Sequence, residues 1–214
     1  MSLEELIKTR RSIRKFSEQK IDQAVLEKII EAGNYAPSHC NTQGWKFIFV
    51  DNQNIKNEIT KSGGSHVVKS APYGILITYN LALSDNLEYK DWIQSSSGAI
   101  QNMLLTIHDL GLGGCWICHL PRKKTLAKIF NIPKPYTPVA YIAFGYSQQE
   151  SAAIPRQHEV SDILAINEFN WPSEKTSTKI RFKRITRRLY FILPTPLKKL
   201  INPLVDKFVK KFHN

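Results

Sequence analysis

Apolar residues recur along the chain with two different spacings, which predict alternating helices and strands. Ile21, Val25 and Ile29 lie four residues apart, as expected for one face of a helix. Uninterrupted apolar runs such as WKFIFV are typical of buried strands. The predicted helices cover about residues 22–33, 95–110 and 124–130, and the predicted strands cover residues 45–50, 73–79, 115–120 and 139–146.

The order of these elements indicates a domain that mixes helices and strands. Strands and helices interleave, which is typical of an α/β or α+β fold. Ser2 and Glu5 match a capping box, so a further short helix is predicted at the start of the chain and should end near Arg10. A chain of 214 residues with 42% hydrophobic residues is long enough for one domain with a sizeable core.

Positive charge is concentrated near the C-terminal end of the chain. The formal net charge is +12, and residues 170–214 carry twelve basic against two acidic residues, so the rest is nearly neutral. We therefore divide the chain into a body, residues 1–169, and a basic extension, residues 170–214. Such an asymmetry indicates an anionic partner for the extension.

The three cysteines and the start of the chain bear on compartment and redox chemistry. The first residues, MSLEELIKTRRS, lack an apolar signal region, and no apolar run reaches about 20 residues, so we expect a cytoplasmic protein with reduced thiols. Cys115 and Cys118 form a C-x-x-C-H string, which is read as packed strand residues, a redox dithiol or a haem attachment site, in falling order of preference. Cys40 and His39 lack a second close-spaced pair, so we expect no metal site.

A cluster of basic and hydroxyl side chains follows the first predicted helix. Arg10, Ser12 and Arg14 stand at alternate positions, so an extended backbone would direct all three to one side. Two guanidinium groups and a hydroxyl suit a dianionic phosphate. The alternative is a solvated basic turn.

Four segments together resemble the nitroreductase family. Residues 10–16 (RRSIRKF) are similar to its opening signature, and residues 36–45 (APSHCNTQGW) to its second signature. Residues 102–116 resemble the long central helix and the glycine-containing turn behind the flavin, and residues 144–146 with Arg156 resemble the closing strand and a late arginine. The four segments occur in family order.

The resemblance implies an architecture and a cofactor site. It implies an α+β fold, a three-layer α/β/α sandwich with a central, mostly antiparallel sheet, in a homodimer that binds FMN at the subunit interface. Arginine and serine side chains would hold the phosphate and the polar edge of the flavin, a loop would reach the flavin from the neighbouring subunit, and a strand backbone would lie against the ring. The phosphate set is Arg10, Ser12, Arg14 and Arg156. The loop set is Pro37, Ser38, His39 and Asn41, and the strand set is Trp116, Ile117 and Cys118.

The resemblance also implies an oxidoreductase activity. NADH or NADPH would supply electrons through FMN to a small acceptor such as a nitroaromatic or a quinone, with ping-pong kinetics. The flavin carries out the chemistry, so no side chain is expected to be catalytic. Two alternatives remain: a flavoenzyme of different redox chemistry on a membrane-associated or carrier-bound substrate, and a non-catalytic flavin-binding or membrane-docking module.

The basic extension adds a further expectation. Apolar residues between positions 180 and 212 recur at helical spacing, and basic residues occupy the complementary face. Such a helix can lie peripherally on an anionic membrane. An arm that packs on the partner subunit is equally favoured, and nucleic acid is the least favoured partner.

Overall fold

The computed structural model describes residues 1–86, 88–149, 154–173, 177–194 and 197, which belong to two compact units. The first unit is Met1–Ile154 and the second is Pro155–Asn214. The boundary at residue 169, which rests on charge, stays a prediction. Among the described residues, no helix is both long enough and apolar enough to span a bilayer.

The described elements alternate between helices and strands, as the sequence predicts. A capping box between Ser2 and Glu5 starts the first helix, and the Asn52 side chain caps the third by accepting from Asn54 and Ile55. The helices are α1 (Leu3–Thr9), α2 (Gln23–Asn34), α3 (Gln53–Lys61), α4 (His66–Ser70), α5 (Asp91–Asp109), α6 (Lys123–Ile129), α7 (Val160–Ile163) and α8 (Thr178–Ile192). The strands are β1 (Trp45–Val50), β2 (Tyr73–Asn80), β3 (Gly113–Ile117) and β4 (Tyr136–Gly145).

The four strands form one antiparallel sheet in the order β1-β2-β4-β3. Alternate residues of the central strands point to opposite faces, because side chains alternate along a strand. On one face, Leu76 and Tyr141 pack with Val68 of α4 and with residues of α3 and α6. On the other face, the core includes Ile142 of β4 and Met103 of α5. Helices therefore cover both faces, and the predicted three-layer α+β sandwich is confirmed.

The predicted bounds of three elements are wrong, and one of them is β4, which begins at Tyr136 instead of residue 139. The long helix begins at Asp91 instead of about residue 95. It follows Lys90 directly, whose backbone is left-handed with a φ of 52°. The strand predicted at residues 115–120 spans Gly113–Ile117, because its pairing with β4 begins at Gly113 and ends at Ile117. Glycine has low strand propensity, so the sequence did not indicate this start.

Candidate functional site

The segment that follows α1 runs along the edge strand β3. Arg10 ends the helix with an extended backbone (φ −54°, ψ 130°), and Ser12 forms a parallel bridge with Gly114. The backbone N–H of Ile13 donates to the Gly114 carbonyl at 3.0 Å. Ile13 is buried, whereas Arg14 is exposed. We call residues 10–14 the arginine strip.

The arginine strip is held in place by packing and by hydrogen bonds. A Cβ at Gly113 would lie 2.7 Å from the Ile13 Cβ, so only glycine lets the strip approach β3 this closely. Gln149 accepts from the backbone N–H groups of Arg14 and Lys15 at 2.9 and 3.1 Å. Gly113 belongs to the glycine-containing turn in the resemblance to the nitroreductase family, whereas no pattern in the sequence indicated Gln149.

The charged and hydroxyl groups of the strip influence one side chain of β3. Burial raises the pKa of the Cys115 thiol, while the charges of Arg14 and Arg10 and a hydrogen bond with Ser12 act in the opposite direction. Together with the backbone bridge between Ser12 and Gly114, these influences place the three residues along the same edge of β3. Two guanidiniums and a hydroxyl in one place fit the dianionic phosphate of a mononucleotide.

The next three predicted site residues are the last two of β3 and the residue after it. Ile117 is buried in the sheet, and Trp116 is half-buried on the opposite face. Cys118 lies beyond the end of the strand and is exposed. The prediction that both cysteines of the C-x-x-C-H string pack in a strand is therefore wrong for Cys118. Cys115 is buried, which disfavours covalent attachment of a haem at its sulfur.

The predicted loop residues lie between α2 and β1 and rest on α5. The backbone of the loop is left-handed at Cys40, Asn41 and Gln43, with φ values of 44°, 55° and 46°. Its side chains bond within the loop: Ser38 accepts from the Gln43 N–H at 3.0 Å, and Asn41 accepts from the Gln43 side chain. The His39 N–H donates to the Ser95 hydroxyl of α5 at 3.0 Å.

An open cleft of about 370 Å³ borders this loop. Pro37 and Ser38 form one side, and α5 contributes Ser95 and Gly98 to the other. Asp91 starts α5 and also lines this cleft, and its buried carboxylate lies 3.5 Å from His39 Nε2.

The end of α1, which precedes the arginine strip, and the loop contact opposite ends of α5. Thr9, beside the strip, lies 2.9 Å from His108 Nε2, whose pKa is lowered by burial and then by the charge of Arg10. The loop contacts Ser95, thirteen residues earlier on the same helix. At about 1.5 Å per residue, these contacts are about 20 Å apart along the helix axis. Arg156 is exposed in the second unit, and its predicted role stays a prediction.

Comparison with known proteins agrees with this architecture. The sequence matches the model of the nitroreductase family over residues 7–66 and 60–146. The chain belongs to the nitroreductase family. A relative from Methanothermobacter thermautotrophicus, provisionally named an NADH dehydrogenase/NAD(P)H nitroreductase, is 34% identical over 150 residues, which cover 68% of this chain and 78% of the relative.

Two solved structures of this nitroreductase family share the fold. An FMN-dependent nitroreductase from Clostridium difficile R20291 aligns with a TM-score of 0.70 and 29% identity, covering 78% of this chain and 100% of its own. A provisionally named nitroreductase from Desulfovibrio desulfuricans, solved in complex with FMN, aligns with a TM-score of 0.66 and 26% identity, covering 79% and 99%.

Proposed function

We propose that this nitroreductase family member is an FMN-dependent oxidoreductase that carries electrons from NADH or NADPH to a small acceptor such as a nitroaromatic or a quinone. The observation that supports this proposal is the position of Arg10, Ser12 and Arg14 along the edge of β3. Bound FMN would supply the hydride and electron-transfer chemistry. The protein's residues bind and orient the reactants, and we assign no catalytic side chain.

Each part of the site has a distinct proposed role. The arginine strip binds the phosphate through the guanidinium groups of Arg10 and Arg14 and the hydroxyl of Ser12. The backbone of Trp116, Ile117 and Cys118 lies against the flavin ring. This backbone continues along β3 and past its end from Gly114, the residue that pairs with the strip. Pro37, Ser38, His39 and Asn41 contact the flavin from the partner subunit.

A homodimer explains how two distant groups could serve one flavin. Within one chain, Thr9, just before the strip, and the loop contact α5 about 20 Å apart along its axis. A second copy in antiparallel register along α5 would bring its loop beside the first copy's strip. The exposed α5 side chains Ile93 and Gln101 lie on a surface available for this contact.

The activity is tested by rapid-mixing spectroscopy under anaerobic conditions. Purified full-length protein should release FMN on denaturation, and its flavin absorbance should bleach when NADH or NADPH is added. A quinone or a nitroaromatic added afterwards should restore the absorbance. If donor and acceptor use one site in turn, the steady-state kinetics are ping-pong. A protein that takes up no FMN, or flavin that neither nucleotide reduces, contradicts the proposal.

A peripheral contact with an anionic membrane is a second proposal, supported by α8. The helix exposes Phe182, Ile185 and Leu189 at spacings of three and four residues. Exposed Arg181 and Arg184 supply positive charge for anionic headgroups. The rest of the predicted amphipathic face, residues 198–212, lies outside the described residues. Such a contact would place the oxidoreductase beside lipophilic acceptors.

A further inference from the structure

Three metal-ligating side chains meet beside the loop that carries His39. His39 Nε2 lies 3.1 Å from Asp85 Oδ1 and 3.5 Å from Asp91 Oδ2, and the three ligand atoms are all within 4.8 Å of one another. We propose that His39, Asp85 and Asp91 bind one divalent transition-metal ion of the zinc class. No sequence pattern predicted this site, because Asp85 is 46 residues from His39.

The distances match those between ligands of a tetrahedral metal ion. With metal–nitrogen and metal–oxygen bonds of about 2.0–2.2 Å, two ligand atoms of a tetrahedral site are separated by about 3.4 Å. The separations from His39 to the two carboxylates lie on either side of this value. His39 therefore stands at a suitable distance from each carboxylate, and the third separation, between Asp85 and Asp91, is at most 4.8 Å.

One hydrogen on His39 Nε2 cannot form good hydrogen bonds with both neighbouring carboxylates. A ring nitrogen carries at most one hydrogen, which can be donated well to only one of the carboxylates of Asp85 and Asp91. Cys40 Sγ also lies 3.4 Å from the same Nε2 of His39. A divalent cation would instead be attracted to both carboxylates and to the nitrogen lone pair at once.

Asp91 is prepared as a ligand by its surroundings. The Ser84 hydroxyl and the Trp92 N–H both donate to Oδ1, which leaves Oδ2 directed at His39 with a long contact from the Asn86 N–H at 3.4 Å. Neighbouring hydrogen bonds of this kind orient a carboxylate ligand toward a metal ion.

The ligand set favours zinc over magnesium, and an open cleft gives an ion access to it. Imidazole is a preferred ligand of zinc and similar ions, whereas magnesium prefers an all-oxygen octahedron. The Asp85 side chain is 86% exposed, and an open cleft lined by Asp85, Asn86 and Glu88 leads to the cluster. An ion can therefore reach the site from solvent without unfolding the loop.

Equilibrium dialysis of the untagged, full-length, FMN-loaded protein against zinc chloride tests this site. After treatment with a chelator, the protein should take up one zinc ion per chain, and an excess of magnesium should not displace it. Asp85→Asn should weaken zinc binding by at least about tenfold. Glu88→Gln, which removes a charge from the same cleft without removing a proposed ligand, should retain wild-type affinity.

Each outcome decides the proposal separately from the flavin activity. No saturable uptake of zinc, displacement by magnesium, or an Asp85→Asn variant that binds zinc like the wild type would overturn the metal site. His39→Ala, a second ligand variant, should also weaken zinc binding. His66→Ala is its control, because His66 is an exposed histidine of α4 that is not a proposed ligand. Flavin content is measured in the same samples, so protein that binds zinc without FMN contradicts only the proposed flavin function.

Discussion

Gly113 and Ile13 are packed so closely that a Cβ on Gly113 would lie 2.7 Å from both Cβ and Cγ2 of Ile13. This contact seats the arginine strip against β3. We predict that Gly113→Ala pushes the strip away, lowering the free energy of unfolding by about 1–3 kcal/mol and weakening FMN binding. Thermal unfolding and flavin titration measure the two effects.

Gly74→Ala is the matched control for this change. A Cβ at Gly74 would clash with the buried hydroxyl of Tyr141, at the sheet face that α3, α4 and α6 cover. It should therefore destabilise the protein while the affinity for FMN stays near the wild-type value. Equal losses of FMN affinity in both variants would show that the contact at Gly113 has no special role.

The sequence predicted local elements and part of the site, but not the contacts between distant residues. The Ser2–Glu5 capping box and the WKFIFV strand were predictable because their signals lie within a few neighbouring residues. The start of β3 was missed because Gly113 and Gly114 favour neither helix nor strand, and their role appears only against Ile13. The cluster of His39 with Asp85 was missed for the same physical reason, since long-range contacts leave no periodic pattern.

The two cysteines at β3 should differ in reactivity. Burial raises the pKa of Cys115 above its ordinary value of 9.0, so its thiol stays protonated and shielded at neutral pH. We predict that iodoacetamide modifies the exposed Cys118 and Cys40 of native protein at pH 7.5–8 and leaves Cys115 unmodified, as read by mass spectrometry of peptides. Denatured protein, in which all three react, is the control.

The same measurement bears on the redox-dithiol alternative. Raising the pH should increase modification of Cys115 only above its ordinary pKa, because the thiolate is the reacting form. Rapid modification of Cys115 at neutral pH, or an intramolecular disulfide with Cys118 in the purified protein, would contradict the packed state and support a dithiol.

The basic extension should direct the protein to anionic vesicles. We predict that the full-length protein co-sediments with vesicles of phosphatidylglycerol and phosphatidylcholine, and that higher salt reduces binding because it screens charge. Deleting residues 171–214 should abolish sedimentation while flavin stays bound. Full-length protein that ignores these vesicles contradicts the membrane proposal, and a deletion that instead dissociates the dimer supports a subunit-packing arm.

Sites built across two subunits can be recognised in mixed dimers. One chain carries Arg14→Ala, and the other carries Asn41→Ala with Ser38→Ala. If strip and loop come from different subunits, each mixed dimer contains one intact site and one site with both defects. We predict that co-expressed, purified mixed dimers bind one FMN per dimer at wild-type affinity. If both partners of a site come from one chain, no intact site forms and wild-type affinity is not recovered.

The central claim, that the arginine strip binds the FMN phosphate, is tested most directly by comparing FMN with riboflavin, which lacks that phosphate. Arg14→Ala should weaken FMN binding about tenfold to a hundredfold, equivalent to about 1.5–3 kcal/mol for a charged hydrogen bond, and leave riboflavin binding nearly unchanged. Lys15→Ala, which removes one charge from the exposed neighbouring position, should keep the wild-type preference for FMN. An Arg14→Ala variant that still prefers FMN as strongly as the wild type would contradict the account.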